Sequence, residues 1–354
     1  MSKYWSSMVN RTDPYVPGEQ VYHTKMIKLN TNENPYPPAE SVIKAIQDEL
    51  GDSLRLYPSP TVDDLKERIA QLNNVNKENI FVGNGSDEVL AFSFMAFFEP
   101  GKKILFPNIT YSFYTAYAKL FNIPYEEVEL NKDFTLNTSS FHHSKGGVIF
   151  PNPNAPTGIL LPLDQVEEIL VHNSEKIVII DEAYIDFAKE SAVQLIHKYP
   201  NLLVIQTTSK SKSLAGLRVG FAIGNHELIE GLEKIKNSFN SYTIDRLAMR
   251  GAIAAIDATN YYDEITDKVI KTRNWVSTEL VKLGFQVLPS QANFVFISHQ
   301  RISGEQLYVK LKENGILVRH FAKKPIENFI RLTIGTPQDM EFLIDKLINI
   351  VDSG

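Results

Sequence analysis

From about residue 46 onward, short apolar runs alternate with stretches of helical periodicity. The apolar runs fall at 80–82, 103–106, 147–150, 177–180, 202–207 and 219–223. Ile177-Val178-Ile179-Ile180 has no polar alternation, as expected of a strand covered on both faces. Between the runs, 62–73, 87–98, 111–121, 162–173 and 226–237 read as helices, the first opened by a capping box of Thr61 and Asp64. Such alternation predicts an α/β fold with a mostly parallel sheet and helices on both faces. The last third changes character. Two long helical stretches at 244–257 and 261–283 precede strands at 293–297, 316–318 and 329–334, with helices at 303–314 and 337–351. Met340, Leu343, Leu347 and Ile350 keep the final helix on a period near 3.6. The N-terminal stretch, with Pro14, Pro17, Pro35, Pro37 and Pro38, reads as an extended arm, because proline fixes φ and removes a donor. The expected organisation is an arm (1–45) joining a small α+β domain (246–354), around a large domain (46–245).

Composition narrows the function. Lys and Arg number 36 against 42 Asp and Glu, a net charge of −6, and this acidic balance argues against nucleic-acid binding. Without cysteine there are no disulfides, no thiolate chemistry and no cysteine-ligated metal. The eight histidines show no i, i+4 ligand pair on a helix, so no metal is expected. Met1-Ser2-Lys3-Tyr4-Trp5 lacks a signal pattern, and the longest apolar run, 89–98, is broken by Ser93 and too short for a bilayer. A cytoplasmic enzyme without membrane contact is the expectation.

Candidate chemistry gathers where strands end. Thr207-Thr208-Ser209-Lys210-Ser211-Lys212-Ser213-Leu214-Ala215-Gly216-Leu217-Arg218 puts a lysine just beyond a buried strand, where desolvation favours the neutral amine that forms a Schiff base. Arg218, Thr207 and Ser209 are suited to a phosphate; a solvated Ser/Lys-rich loop is the plainer alternative. Asp181-Glu182-Ala183-Tyr184 follows a strand whose C-terminal end faces the ligand crevice, so Asp181 can pair with a protonated ring nitrogen and Tyr184 with a ring hydroxyl. Gly83-Asn84-Gly85-Ser86-Asp87-Glu88 opens a helix with free N–H groups, though it lacks the Gly-Lys-Ser/Thr ending of a Walker loop. Tyr111 is placed to stack on a flat ring, and Asn152-Pro153-Asn154-Ala155-Pro156-Thr157-Gly158 offers amides at another strand end. Each element alone reads as a turn, a cap or core. Together they form the inventory of a pyridoxal 5'-phosphate site.

The same residues carry a family resemblance. The chain resembles fold-type I pyridoxal-phosphate aminotransferases, and among them the histidinol-phosphate aminotransferases. The resemblance also covers Pro14-Tyr15-Val16-Pro17-Gly18, Lys28-Leu29-Asn30-Thr31-Asn32-Glu33-Asn34-Pro35-Tyr36, Tyr57-Pro58, Ser290-Gln291-Ala292-Asn293-Phe294 and Ile330-Arg331-Leu332-Thr333-Ile334-Gly335. It implies that Lys210 is the Schiff-base lysine, that Asp181 partners the pyridine nitrogen, and that Tyr184 meets the ring hydroxyl. Tyr111 would stack on the ring, while Ser86, Asp87, Thr207, Ser209 and Arg218 surround the phosphate. Tyr57 would reach the neighbouring subunit's cofactor, implying a homodimer. Arg331 would clamp the substrate carboxylate through a fork that Lys lacks, Arg319 would help bind a substrate phosphate, and Asn32 would join the substrate side. Many relatives carry Asn before Pro-Thr-Gly. Here Ala155 stands in that place, so Asn154 is the candidate for the ring-hydroxyl contact.

The implied reaction is transamination between glutamate and imidazole-acetol phosphate, giving 2-oxoglutarate and histidinol phosphate, a step of histidine biosynthesis. The rivals are an aromatic-amino-acid aminotransferase or a threonine-phosphate decarboxylase of the same fold, and, from another class, a non-catalytic cofactor-sensing regulator. The regulator would need a DNA-binding domain, for which the chain has no spare basic segment.

Overall fold

The computed structural model describes residues 2–15, 18–19 and 26–352. Val16 and Pro17 of the first resembling motif lie outside the described residues. The chain runs α1 (Ser7–Arg11), β1 (Ile27–Lys28), α2 (Glu40–Asp48), α3 (Asp63–Asn73), β2 (Ile80–Asn84), α4 (Gly85–Phe97), β3 (Ile104–Pro107), α5 (Phe113–Leu120), β4 (Tyr125–Val128), β5 (Val148–Pro151), α6 (Leu163–Val171), β6 (Val178–Asp181), β7 (Leu202–Thr207), β8 (Val219–Gly224), α7 (His226–Phe239), α8 (Arg246–Asp257), α9 (Thr259–Lys282), β9 (Phe285–Val287), β10 (Phe294–His299), α10 (Gly304–Glu313), β11 (Ile316–Leu317), β12 (Arg319–His320), β13 (Phe329–Thr333) and α11 (Pro337–Asp352).

Seven strands form the large sheet in the order β2-β8-β7-β6-β5-β3-β4, with β8 alone antiparallel to its neighbours. The fully apolar central strands explain the layering. Along β6, Val178 and Ile180 pack with Leu65 of α3, Ile169 of α6 and Ala252 of α8. Ile179, between them, packs on the other face with Phe92 of α4, Tyr114 of α5 and Leu232 of α7. Each buried aliphatic side chain of this kind contributes about 1.5–3 kcal/mol, so the sheet is rigid where it must present groups at its edge. Register aligns that edge: Pro151 pairs with Asp181, Asp181 with Ile205, and Thr207 with Gly220.

A second sheet, β12-β13-β10-β9, is antiparallel and packs under α9, α10 and α11 through Val269, Leu307, Leu343 and Leu347. β1 of the arm pairs in parallel with β11, and Leu29 is buried in the same cluster. Ala248, Met249 and Ala252 of α8 lie in the large-sheet core, although the sequence expectation put residues from 246 in the small domain.

Several local expectations differ. The arm is not extended throughout, because Ser7–Arg11 is helical with Ser6 accepting from Val9 N–H. The Thr61/Asp64 capping box does not form. Thr61 instead donates to Asp63 at 2.5 Å, and Val62 takes φ 46° with its N–H on Ser59 Oγ. The periodicity also passed over α2, β9 and the edge strand β4, whose Glu126 and Glu127 break the apolar run. Among the described residues, no helix is long and apolar enough to cross a membrane.

Candidate active site

At the aligned strand ends a cavity of about 520 Å³ opens between the two sheets, lined by residues from β6, the β7–β8 loop, the start of α4, the arm and the small-domain sheet. Asp181 ends β6 and is buried. Its Oδ2 accepts from Tyr114 OH at 3.1 Å and its Oδ1 from Ala183 N–H at 3.2 Å. Burial raises its pKa to about 6 despite those donors, so the carboxylate lacks sufficient positive partners within the protein. Lys210 Nζ lies 3.5 Å from the Thr31 carbonyl and 5.6 Å from the centre of the Tyr184 ring. Lys212, two residues on, instead sits over Tyr262 and does not line the cavity.

An anion cradle occupies one end. α4 begins at Gly85, so the N–H groups of Gly85, Ser86 and Asp87 have no acceptor within the helix. Gly85 has φ +79°, and a Cβ there would stand 2.5 Å from Arg218 Nη2. Gly220 is equally constrained, since its Cβ would meet Ser86 N at 2.3 Å. Arg218 Nη2 donates to Asp87 Oδ2 at 2.9 Å, and Tyr111 OH donates to Asp87 Oδ1 at 2.8 Å. Burial and the Asp87 charge hold the Tyr111 hydroxyl well above its ordinary pKa, so it stays protonated as this donor. Thr207 Oγ1 lies 2.9 Å from Ser209 Oγ at the same end. Arg218 and Asn32 line the cavity with φ of 53° and 56°. Left-handed backbone at such residues costs on the order of 1–3 kcal/mol, a cost found where the surroundings fix a functional geometry.

Two cations face the other end. Arg331 Nη2 donates to the Asn30 carbonyl at 3.0 Å, its buried Nε has no partner among the described residues, and its guanidinium lies over Phe294 and Phe321. Burial lowers its pKa, so an incoming anion would compensate a desolvated charge. Arg319 is paired across the sheet with Arg331 and also lines the cavity.

The fold thus gathers Lys210, Asp181, Tyr184, Ser86, Asp87, Tyr111, Thr207, Ser209, Arg218, Asn32, Arg319 and Arg331 around one space. Tyr57 and Asn154 do not line it. Tyr57 is 78 % exposed and stacked on Tyr242 with ring centres 4.7 Å apart. The Asn154 amide nitrogen donates to the Ile109 carbonyl and Thr157 Oγ1, and the side chain lines a neighbouring cavity, while Ala155 faces the site. Asn154, expected at the ring hydroxyl, lies outside the cavity lining, where Ala155 brings a methyl group. Asn32 Nδ2 donates to Tyr184 OH at 2.9 Å and its Oδ1 accepts from Thr333, so both ends of its amide are hydrogen-bonded at the cavity wall. Sequence reasoning missed Tyr114, although its spacing of three from Tyr111 and the aromatic run around it offered a signal.

The model of the family "Aminotransferase class I and II" matches residues 24–347. A histidinol-phosphate aminotransferase of Oceanobacillus iheyensis is 59% identical over 351 residues, covering 99% of both chains. The chain belongs to the histidinol-phosphate aminotransferases. Another member of this family, from Clostridium beijerinckii, is 55% identical over 98% of this chain and 97% of its own. Among solved structures, the Clostridium acetobutylicum histidinol-phosphate aminotransferase is 27% identical with a TM-score of 0.86, covering 93% of this chain and 100% of that one. The Sinorhizobium meliloti enzyme, solved with pyridoxal-5'-phosphate, shares the fold at a TM-score of 0.89 and 22% identity, over 100% of this chain and 99% of that one. Membership of the family makes this chain an aminotransferase of fold type I.

Proposed function

We propose that this aminotransferase moves the amino group of glutamate to imidazole-acetol phosphate, releasing 2-oxoglutarate and histidinol phosphate, with pyridoxal 5'-phosphate held in the strand-end cavity. The residues fit that group. A buried carboxylate short of positive charge, a helix start beside Arg218 and a half-buried lysine in the same cavity match its pyridine nitrogen, phosphate and aldehyde. When bound, the cofactor supplies the electron sink that makes the substrate Cα acidic.

The chain's residues carry the rest. Lys210 would hold the cofactor through its amine and, as a free amine in the same place, would carry the proton to and from the substrate Cα. Asp181, fixed by Tyr114 and Ala183, would pair with the protonated ring nitrogen and keep it protonated. Tyr184 accepts from Asn32, which leaves its own proton for the ring hydroxyl, the role Asn154 does not fill. Arg218, with the N–H groups of Ser86 and Asp87, takes the cofactor phosphate. Arg331 receives the glutamate carboxylate and, with Arg319, the phosphate of histidinol phosphate, which has no α-carboxylate.

The observation that carries the substrate reading is the pair of arginines opposite the lysine, one desolvated with an unpartnered Nε. Half-reaction kinetics test it. Arg319→Ala is expected to weaken histidinol phosphate by about ten- to a hundredfold, since a charge-assisted contact is worth roughly 1.5–3 kcal/mol, while glutamate changes little. Arg331→Ala harms both. Equal losses for the two substrates in Arg319→Ala, or phenylalanine outrunning histidinol phosphate, would contradict the assignment.

A homodimer follows from the same reading. Tyr57, Leu54, Leu56 and Phe239 leave an apolar surface exposed beside the stacked Tyr57–Tyr242 pair, and a second copy would cover it. Tyr57 would then reach the partner's cofactor. Sedimentation at assay concentration is expected to give twice the chain mass; an active monomer would remove this element.

A further inference from the structure

Residues 30–34 run from the small-domain sheet to the loop bearing Lys210, and touch one functional group after another. The Asn30 carbonyl accepts from Arg331, the Thr31 carbonyl lies beside Lys210 Nζ, and Asn32 donates to Tyr184 OH. Asn34 comes next. Its Nδ2 donates to the carbonyls of both Lys210 and Ser211, at 3.0 and 3.1 Å, while its Oδ1 accepts from Tyr36 N–H at 3.0 Å. Ser211 Oγ is itself hydrogen-bonded to the Asp186 carboxylate, in the turn that follows Tyr184. The backbone of residues 210 and 211 is thus held by the arm and by the strand end that supplies Asp181.

We propose that Asn34 is a positioning residue for Lys210, acting on its backbone without touching substrate or cofactor. Residues 208–214 belong to no strand; Thr208 N–H still reaches the Val219 carbonyl, but at Lys210 the backbone carbonyl is held only by the turn's own Ser213 N–H, at 3.4 Å, and by the shorter bond from Asn34. A lysine that must deliver a proton to a defined carbon tolerates little drift, and a misplacement near 1 Å can cost about a hundredfold in rate. Because Asn34 continues the segment whose Asn30 holds Arg331, it also ties the lysine to the anion-binding end of the site. The proposal rests on the reading of Lys210 as the cofactor-bound, proton-carrying lysine.

Two variants test it. Asn34→Ala removes the amide, whereas Asn34→Asp keeps the acceptor for Tyr36 N–H and sets a carboxylate oxygen against the carbonyls of residues 210 and 211 in place of the donor. Single-turnover rates per bound cofactor are expected to fall about 30- to 100-fold in both half-reactions alike, with apparent substrate affinities unchanged within about twofold. In the cofactor-free protein, amide hydrogen exchange should quicken at 209–214 but not in β7. Borohydride should still attach the cofactor to Lys210. Wild-type rates in either variant, a loss confined to the affinity for one substrate, or faster exchange extending through β7 would overturn the proposal. A cofactor label absent from Lys210 in the unsubstituted protein would instead overturn the reading beneath it.

Discussion

Asp181 and Glu182 are neighbours on one strand end, both buried, yet they lie in different regions of the molecule. Asp181 faces the cavity with two protein donors, Tyr114 OH and Ala183 N–H. Glu182 points into the sealed side, where Ser191 Oγ, Ala192 N–H and Gln206 Nε2 donate to it at 2.6, 2.7 and 2.8 Å. Burial lifts both above the ordinary carboxylate range, to about 6 and about 7. The difference is what else can reach them. Glu182 is 1% exposed, lines none of the cavities described, and ties the loop at 191–192 to β7. Asp181 borders a space large enough for a cationic ring. Burial of a carboxylate therefore does not mark a site; burial beside unfilled space, opposite a lysine, does.

The sharpest way to break this contrast is substitution at the two positions. Asp181→Asn should retain the fold but slow transamination by roughly 10²–10³-fold, the scale expected when a charge aimed at the developing transition-state charge is removed. Wild-type cofactor affinity should also fall as pH drops through about 6, because the protonated acid no longer attracts a ring cation. That dependence should weaken in Asp181→Asn, leaving the part that comes from the cofactor phosphate. A variant with near-normal turnover would end the ring-nitrogen role.

Glu182→Gln should keep activity within about threefold, since it preserves the shape and faces away from the cavity; a loss as deep as that of Asp181→Asn would erase the contrast. The smallest effect is on stability. The folded pKa of each carboxyl lies above its ordinary value, 3.8 for Asp181 and 4.5 for Glu182, so the folded chain holds the extra proton in the intervening range. The stability of the cofactor-free protein should therefore decline as pH rises from about 4 to about 7. In Glu182→Gln the difference in Tm between pH 5 and pH 8 should shrink, and an unchanged difference would show that Glu182 is not the titrating group.

The same contrast explains what was legible in the sequence. Strands betrayed themselves by unbroken apolar runs, because both faces of β6 are covered, and a residue that ends such a strand must emerge at the edge of the sheet. Asp181, Lys210, Ser86 and Arg218 could be found that way. Side-chain direction within irregular segments could not. Whether Asn154 or Ala155 faces the cavity depends on hydrogen bonds to Ile109 and Thr157, partners that spacing alone does not reveal. Asn32 and Asn34 read as a polar, proline-flanked arm until the small-domain sheet brought Thr333 and the Lys210 loop beside them. Tyr57 is exposed, and no hydrophobic pattern within the chain points to a role for it.

The claim that one lysine at this strand end holds the cofactor is open to a single direct measurement. The protein loaded with pyridoxal 5'-phosphate is reduced with borohydride, digested, and the modified peptide sequenced by mass spectrometry. The structure separates the two candidates, with Lys210 beside Thr31 and Tyr184 in the cavity and Lys212 over Tyr262 outside it. The account predicts a covalent label on Lys210 alone, with loss of the visible absorbance. A label on Lys212, or no label at stoichiometric cofactor, would contradict it.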